Sequence, residues 1–256
     1  MRSLLKLAIT SLFLCACGGA ISGGTYSDRA QAAYANALED YFDDDCMDAE
    51  PLFHDVRRKY PYSRFAALAE LRAADCMYKE SKYPEAIQAY QQFVRYRPSH
   101  SEVPYARFQI GRAHFKQIPS EWLLSPPAYE RDQRFTHDAV RLLRRFILDF
   151  PDHALVQPAK EMVNEAVHML AAHEFYVANF YLDDDAPEAA VGRLQTLLRS
   201  YGGSDFETEA LLLLGDTLEE LKDVHQARQT YNELVQHYPD SEEASEARER
   251  LQTLGG

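Results

Sequence analysis

The chain has 256 residues, of which 46% are hydrophobic and 26% are charged, with 11 glycines, 12 prolines and 4 cysteines. This composition is typical of a globular protein and excludes the collagen-like, disordered and disulfide-scaffold classes. The net charge of −13 argues against binding to nucleic acid and gives no attraction to an anionic lipid surface. Any membrane attachment must therefore come from something other than charge.

The first sixteen residues predict a secretory signal. Arg2 and Lys6 accompany an apolar run over residues 4–14, which is too short for the ~20 residues of a membrane-spanning helix. The run ends in LCACG, which resembles the bacterial lipobox, where small residues precede an acylated cysteine. We expect Cys17 to carry the lipid, because Leu14 stands before Cys15 where a small residue is needed. Residues 1–16 then form the signal and 17–26 a lipidated tether, which anchors the protein to a membrane; a plain signal peptide with a chance cysteine is the alternative.

An internal repeat runs along the rest of the chain. Five alanines each have a bulky residue four positions on and a helix-ending Pro or Gly twelve positions on: Ala49, Ala86, Ala139, Ala190 and Ala227. Residues i and i+4 share one helix face, so the small residue lets a neighbouring helix approach closely. Small residues twelve positions earlier mark a preceding helix in four repeats: Ala37, Ala74, Ala178 and Gly215. This signature resembles the tetratricopeptide repeat, or TPR.

We predict an all-α, TPR-type solenoid of about five helical hairpins over residues 27–256. The repeats cover about 27–61, 62–98, 99–151, 152–202 and 203–239, and a capping helix covers 241–254. The distance between the small residues of repeat 3 is longer than in the other repeats, which places one insertion between its two helices. A second insertion lengthens the first helix of repeat 4 by about four turns. Four serines stand where helix N-caps are expected: Ser63, Ser101, Ser204 and Ser241.

Motifs for catalysis or metal binding are weak. His173 and Glu174 suggest a zinc-protease helix, but Val177 stands where the second histidine is required. A partly buried histidine is the better interpretation, and we predict no enzyme activity, no metal and no cofactor. Two runs of three aspartates, at residues 43–45 and 183–185, could hold calcium, but capping of the following helices is favoured.

Two cysteines, Cys46 and Cys76, remain after lipidation. Stacked first helices bring them near each other, and the cell envelope is oxidising enough to join them. A disulfide would contribute roughly 3–4 kcal/mol in the chain-entropy model. A disulfide and two separate buried thiols are both open at this point.

The first helices of TPR hairpins line a concave groove. The positions that face this groove carry Tyr34, Tyr41, Phe42, Leu71, Tyr78, Lys79, Tyr105, Phe108, Arg112, Phe115 and Lys116. An aromatic surface with three cations suits a peptide that has aromatic side chains and a free carboxylate. The peptide-binding candidates are Tyr41, Tyr78, Lys79, Arg112, Phe115 and Lys116, although we expect about half of the groove aromatics to pack between repeats.

The insertion in repeat 3, over residues 118–133, has three prolines and the only tryptophan of the chain. Trp122, Leu123, Leu124 and Tyr129 are too apolar for a solvated loop, so we predict a partner-binding surface. The alternative is that the loop packs back on its own solenoid.

The sequence also resembles the BamD (YfiO/ComL) family of lipoproteins of the outer-membrane β-barrel assembly machinery. The strongest match is LAAHEFYVANFY at residues 170–181 with AAVGR at 189–193, which is similar to the family's LAxHExxVAxYY…AvxxR stretch. Residues 130–133 and 57–61 resemble two shorter segments of the family. The resemblance runs from Cys17 to the end of the chain and departs in the proline-rich loop and at Gly202, where a proline is expected.

This resemblance implies a non-enzymatic scaffold that engages the periplasmic domains of the central barrel component and receives unfolded outer-membrane proteins. It implies peptide docking on the N-terminal repeats and machine contacts on the C-terminal ones, with Arg193, the motif arginine, as a candidate coupling contact. Barrel substrates of this machinery end in an aromatic residue, whose free carboxylate Lys79, Arg112 and Lys116 could hold.

The resemblance also implies a location. Gly18 after the lipidated cysteine resembles lipoproteins forwarded to the outer membrane, which places the protein on its periplasmic face. The alternative function is an envelope TPR adaptor that coordinates peptidoglycan synthesis or cell division. An N-terminal coiled coil or a missing lipidation site would favour that alternative, and the sequence has neither feature.

Overall fold

The computed structural model describes residues 24–119 and 127–255. Every regular element within these residues is helical, which confirms the all-α prediction. The elements are α1 (Tyr26–Phe42), α2 (Cys46–Lys59), α3 (Arg64–Lys79), α4 (Tyr83–Tyr96), α5 (Val103–Lys116), a 3₁₀ turn (Ala128–Glu130), α6 (Arg134–Asp149), α7 (Val156–Asp183), α8 (Pro187–Tyr201), α9 (Glu207–Glu220), α10 (Val224–His237) and α11 (Glu242–Gly255).

The helices form a solenoid of hairpins. Each helix packs against the next one in the chain, and α1 also contacts α3, α5 contacts α7, and α9 contacts α11. The odd-numbered helices are therefore the first helices of the hairpins and stack beside one another, as in TPR proteins. α7 has 28 residues, which confirms the predicted lengthening of this first helix.

The small residues of the repeat lie at the closest helix contacts. Ala37, Ala49 and Ala86 are fully buried. A Cβ atom added to Gly215 would lie 2.3 Å from the Tyr231 ring, and one added to Gly111 would lie 2.7 Å from the Leu143 side chain. The interpretation of these positions as close-approach sites is confirmed.

The hairpin turns share one backbone conformation. The second residue after the first helix has a positive φ in four hairpins, at Asp44, Ser81, Asp185 and Lys222. This left-handed residue reverses the chain, and aspartate adopts that conformation more readily than most residues. The third hairpin is the exception because its turn contains the long insertion.

The two aspartate runs therefore have different roles. Asp45 caps α2 through a 3.3 Å bond from the Asp48 amide, as predicted. Capping by the second run was wrong: the N-cap of α8 is Ala186, which provides no side-chain acceptor, and Asp185 is the left-handed turn residue. Neither run belongs to a metal-binding cluster within the described residues.

Two of the four predicted serine caps are present. Ser63 and Ser241 accept the amides of residues three positions on, at 3.3 and 3.0 Å. Ser101 does not cap α5, which begins after Glu102, because the residue three positions on is Pro104 and has no amide hydrogen. Ser204 does not cap α9, whose N-cap is Phe206, two residues further along the chain.

Candidate functional site

A buried carboxylate, Asp75 of α3, joins the second repeat to the third. Asp75 is only 2% exposed to solvent. It accepts hydrogen bonds from the hydroxyls of Tyr90 at 2.5 Å and Tyr105 at 3.0 Å, and from Arg72 on its own helix. Burial raises the pKa of Asp75, while Arg72 and the two hydroxyls act in the opposite direction. Since Tyr90 lies on α4 and Tyr105 on α5, this one side chain ties three helices together.

Arg72 holds a fixed positive charge beside this carboxylate. Its guanidinium lies 5.2 Å from the centre of the Tyr105 ring and interacts with the side chains of Tyr34 and Tyr41 on α1. Burial is the largest single effect and would lower the pKa of Arg72, but Asp75 and the surrounding tyrosines together outweigh it, so the pKa is raised. Arg72 is therefore a half-buried cation surrounded by tyrosines from both neighbouring first helices.

Sequence reasoning missed Arg72 and selected its neighbour Leu71 as the groove residue. Leu71 is fully buried in the core instead. The signal that was available is the spacing of Arg72 and Asp75, an i, i+3 ion pair on a helix that is otherwise small and apolar.

Lys79 and Tyr41 lie together, as the groove interpretation requires. The Lys79 ammonium is 3.9 Å from the centre of the Tyr41 ring, and it donates to the Tyr41 carbonyl at 2.9 Å and to Asp44 Oδ1 at 2.7 Å. Burial is the largest single effect and lowers the pKa of Lys79, but the bond to Asp44 and the charges of Tyr41 and Asp44 together outweigh it, so the pKa is raised. A ligand carboxylate would reach this ammonium by replacing Asp44, which is exposed.

Arg112 and Tyr78 form a second pair one helix along. The guanidinium lies 4.7 Å from the centre of the Tyr78 ring and donates to Gln109 Oε1 at 3.4 Å. Gln109 in turn donates to the Tyr105 hydroxyl at 2.7 Å, which connects Arg112 to the Asp75 network. Arg72, Lys79 and Arg112, each over a tyrosine ring, form what we call the cation–tyrosine row.

The remaining groove candidates are divided between the surface and the core. Lys116 is exposed one turn beyond Arg112, at the end of α5. Phe115 is half-buried and packs against the core of the C-terminal repeats rather than in the row. Phe108 is buried with its ring centre 5.6 Å from that of Phe146, and Phe42 is exposed.

The described end of the repeat 3 insertion packs back on the solenoid. The Tyr129 ring lies 5.2 Å from the Tyr176 ring of α7, and the Tyr129 carbonyl accepts a 2.5 Å hydrogen bond from His173 Nδ1. His173 is half-buried, as expected, and its ring holds the described end of the loop. Trp122, Leu123 and Leu124 lie outside the described residues.

Arg193 connects α8 to α7. Its guanidinium donates to Glu174 Oε2 at 3.3 Å and interacts with the Tyr181 side chain. Burial lowers the pKa of Arg193, but these two partners outweigh it and the pKa is raised. The Arg193 side chain remains 41% exposed, so part of it is available to another molecule.

Cys46 and Cys76 are two free, buried thiols in this structure. They lie close enough for their side chains to interact. Burial raises the pKa of the Cys76 thiol, with Cys46 adding to the shift, so the Cys76 thiol is protonated at neutral pH. Their proximity keeps both alternatives for this pair open.

Comparisons with known proteins identify the family of the chain. The family described as YfiO, outer membrane lipoprotein, matches residues 27–228. The chain is similar to the outer membrane protein assembly factor BamD of Neisseria meningitidis serogroup A, with 26% identity over 94% of this chain and 93% of that protein. It is also similar to the protein of the same name from Xylella fastidiosa, with 27% identity over 66% of this chain and 58% of that protein. A solved TPR structure, the TPR2AB domain of yeast Sti1 in an Hsp90 complex, is 11% identical, covers 88% of this chain and 84% of its own, and has a TM-score of 0.45. Because the family match spans most of the chain, including the Asp75 network and Arg193, this protein belongs to the YfiO family of outer membrane lipoproteins.

Proposed function

We propose that the protein is an assembly factor for outer-membrane proteins, a non-enzymatic lipoprotein subunit of the β-barrel assembly machinery. Family membership supports this function, as do relatives named for it that align along nearly the whole chain. In this role the protein scaffolds the periplasmic domains of the central barrel component and receives unfolded outer-membrane proteins.

The proposed location is the periplasmic face of the outer membrane, where a lipid on Cys17 holds the protein. None of the helices in residues 24–119 and 127–255 has the length and apolar character needed to cross a bilayer. Two or three acyl chains suffice for stable anchoring, since each buried CH₂ contributes about 0.8 kcal/mol.

The cation–tyrosine row is the observation that carries the substrate-receiving role. Arg72, Lys79 and Arg112 lie on two adjacent first helices, and tyrosine rings flank each cation. A C-terminal aromatic residue presents a ring and a carboxylate on one α-carbon, which such a row can bind together. Lys116, one turn from Arg112, adds an exposed cation at the same end of α5. Each charge-assisted hydrogen bond to the carboxylate would contribute about 1.5–3 kcal/mol where water is excluded.

The C-terminal repeats are the proposed contact with the machinery. Arg193 is held against Glu174 and Tyr181, yet keeps an exposed edge. A guanidinium oriented in this way loses little side-chain entropy when it binds a partner carboxylate, which suits a coupling contact.

The test is binding of a fluorescent peptide that ends in phenylalanine with a free carboxylate, measured by fluorescence polarisation. The double variant Arg112→Ala, Lys116→Ala should bind at least tenfold more weakly, because it removes two cations of the proposed site. Lys116 is exposed, whereas Arg112 also packs on Tyr78, so the melting temperature of the variant is measured alongside binding. The matched control is Arg57→Ala, Arg58→Ala, which removes two exposed charges from α2 and should bind like the unmodified protein. Equal affinity for the free and the C-terminally amidated peptide would show that no carboxylate site exists.

A further inference from the structure

A second concave site lies on the other side of α5. A crevice of about 360 Å³ opens between α4, α5 and α6, with Val94, Ile110, Leu142 and Phe146 as its apolar floor. On α5, Arg107 and Ile110 face this crevice, whereas Tyr105, Gln109 and Arg112 face the cation–tyrosine row. Helical geometry places these two sets on opposite faces of α5, so the crevice is separate from the proposed groove.

The rim of the crevice is strongly cationic. It carries Arg95, Arg107 and Arg145, together with the amide of Gln91, and none of the described residues that line it is acidic. Arg107 and Arg145 bond the same oxygen of Asp149, at 2.7 and 2.9 Å, so one carboxylate faces two guanidinium groups. Arg95 is exposed and makes no ion pair within the part of the chain that the structure describes.

This concentration of positive charge stands out in a chain whose net charge is −13. α6 presents two further exposed arginines on the same hairpin: Arg144, and Arg141, which pairs with Asp138 at 2.6 Å. Leu148, one turn beyond Arg145, is 75% exposed and extends the apolar surface. The local field therefore attracts an anionic partner although the protein as a whole repels one.

The shape of the crevice selects among anionic partners. Its volume fits one or two bulky side chains, and its apolar floor offers them the burial that anchor residues of interfaces require. A flat anionic membrane would meet the arginines but leave the floor unfilled. A peptide segment can do both, since it presents carboxylates beside an aromatic or aliphatic side chain, and arginine binds carboxylates through its planar fork.

We propose that this crevice docks an acidic segment of a partner protein, which inserts one bulky apolar side chain between α4 and α6 and places carboxylates on Arg95 and Arg145. The site gives the protein a second peptide-binding surface, so that a partner can remain bound while the first-helix groove is occupied. It does not depend on the proposed function, because it uses none of the groove residues.

The probe is a library of random twelve-residue peptides, selected on the mature protein by display. Selected peptides should include sequences that combine aspartate or glutamate with a bulky apolar residue. These should bind the Arg95→Glu and Gln91→Trp variants at least tenfold more weakly, because the first reverses the rim charge and the second fills the mouth. Both positions are exposed, so the melting temperature should not change.

The control variant is Arg199→Glu, an equal charge reversal at an exposed arginine of α8, which should bind the same peptides as the unmodified protein does. The proposal is wrong if no selected peptide depends on Arg95, or if the Gln91→Trp protein retains full affinity. It is also overturned if Arg95→Glu weakens binding only to phosphatidylglycerol vesicles, since the arginines would then serve a lipid surface.

Discussion

Asp75 illustrates how one buried charge can organise a groove. Its carboxylate receives two tyrosine hydroxyls and one guanidinium, so burial leaves few of its lone pairs unsatisfied. The same bonds fix Arg72 among Tyr34, Tyr41 and Tyr105. A cation held in this way is ready for a ligand without further ordering of its side chain.

Gly215 provides a direct test of the close helix contacts. Gly215→Ala should destabilise the protein by about 1–3 kcal/mol, because the new methyl group would overlap the Tyr231 ring. Gly192→Ala is the matched control: Gly192 lies inside α8 with no atom within 4 Å of an added Cβ, so it should stabilise by about 0.5–1 kcal/mol. Urea denaturation of the two variants measures both values, and equal shifts would contradict this packing.

The role of a residue could be predicted where its contacts follow a fixed local spacing. It was missed where the contacts join distant parts of the chain. The small residues could be recognised because each repeats the same helix contact at a fixed spacing. The role of Arg72 could not, since it depends on tyrosines more than thirty positions away in both directions along the chain. Phe115 was ambiguous for the same reason, because its position on α5 faces a neighbouring core that local spacing does not reveal.

The hairpin turns show which features of an element its sequence determines. The left-handed residue is Asp, Ser, Asp or Lys in the four short turns, so no glycine marks the position. Asp185 was therefore interpreted as a cap, although it serves the turn. Likewise Pro104 removed the amide that Ser101 would have capped, a conflict that was visible in the sequence.

The insertion between α5 and α6 has two ends with different expected roles. Tyr129 packs on Tyr176, so Tyr129→Ala should lower the melting temperature by about 2–4 °C for each kcal/mol lost from this ring contact. Trp122→Ala should leave the melting temperature unchanged and abolish partner capture in a pull-down. A fall in melting temperature for Trp122→Ala, with the partner still bound, would show that the whole loop packs on its own solenoid.

The molecule as a whole is a continuous stack in which each hairpin contacts mainly its neighbours. Its class and its unequal repeats followed from the sequence, because each helix pair buries the same kind of small-residue seam. The packing of the first helices against one another brings the cation–tyrosine row together. This arrangement is visible only in the structure, because the sequence spacing does not determine it. The stack also separates the row, the Arg95 crevice and Arg193, so the three proposed sites do not overlap.

The attachment of the stack to the membrane rests on Cys17. Cys17→Ser should leave the protein without acyl label and release it from membranes, or leave its signal uncleaved, because the lipid is the only anchor proposed. Cys15→Ser is the matched control and should incorporate label normally. Label lost from Cys15→Ser but retained in Cys17→Ser would place the lipid on the other cysteine.

The central claim is that this protein assembles outer-membrane barrels, and the most direct measurement follows one barrel protein in cells depleted of it. Folded barrels migrate faster than unfolded ones on gels of unheated samples, so the folded fraction can be read from band positions. Depletion should reduce the folded barrel protein at least several-fold, the unmodified gene should restore it, and the Arg112→Ala, Lys116→Ala variant should restore it only in part. A folded barrel fraction that stays unchanged on depletion, with altered peptidoglycan composition instead, would contradict the account and favour an adaptor of cell-wall synthesis.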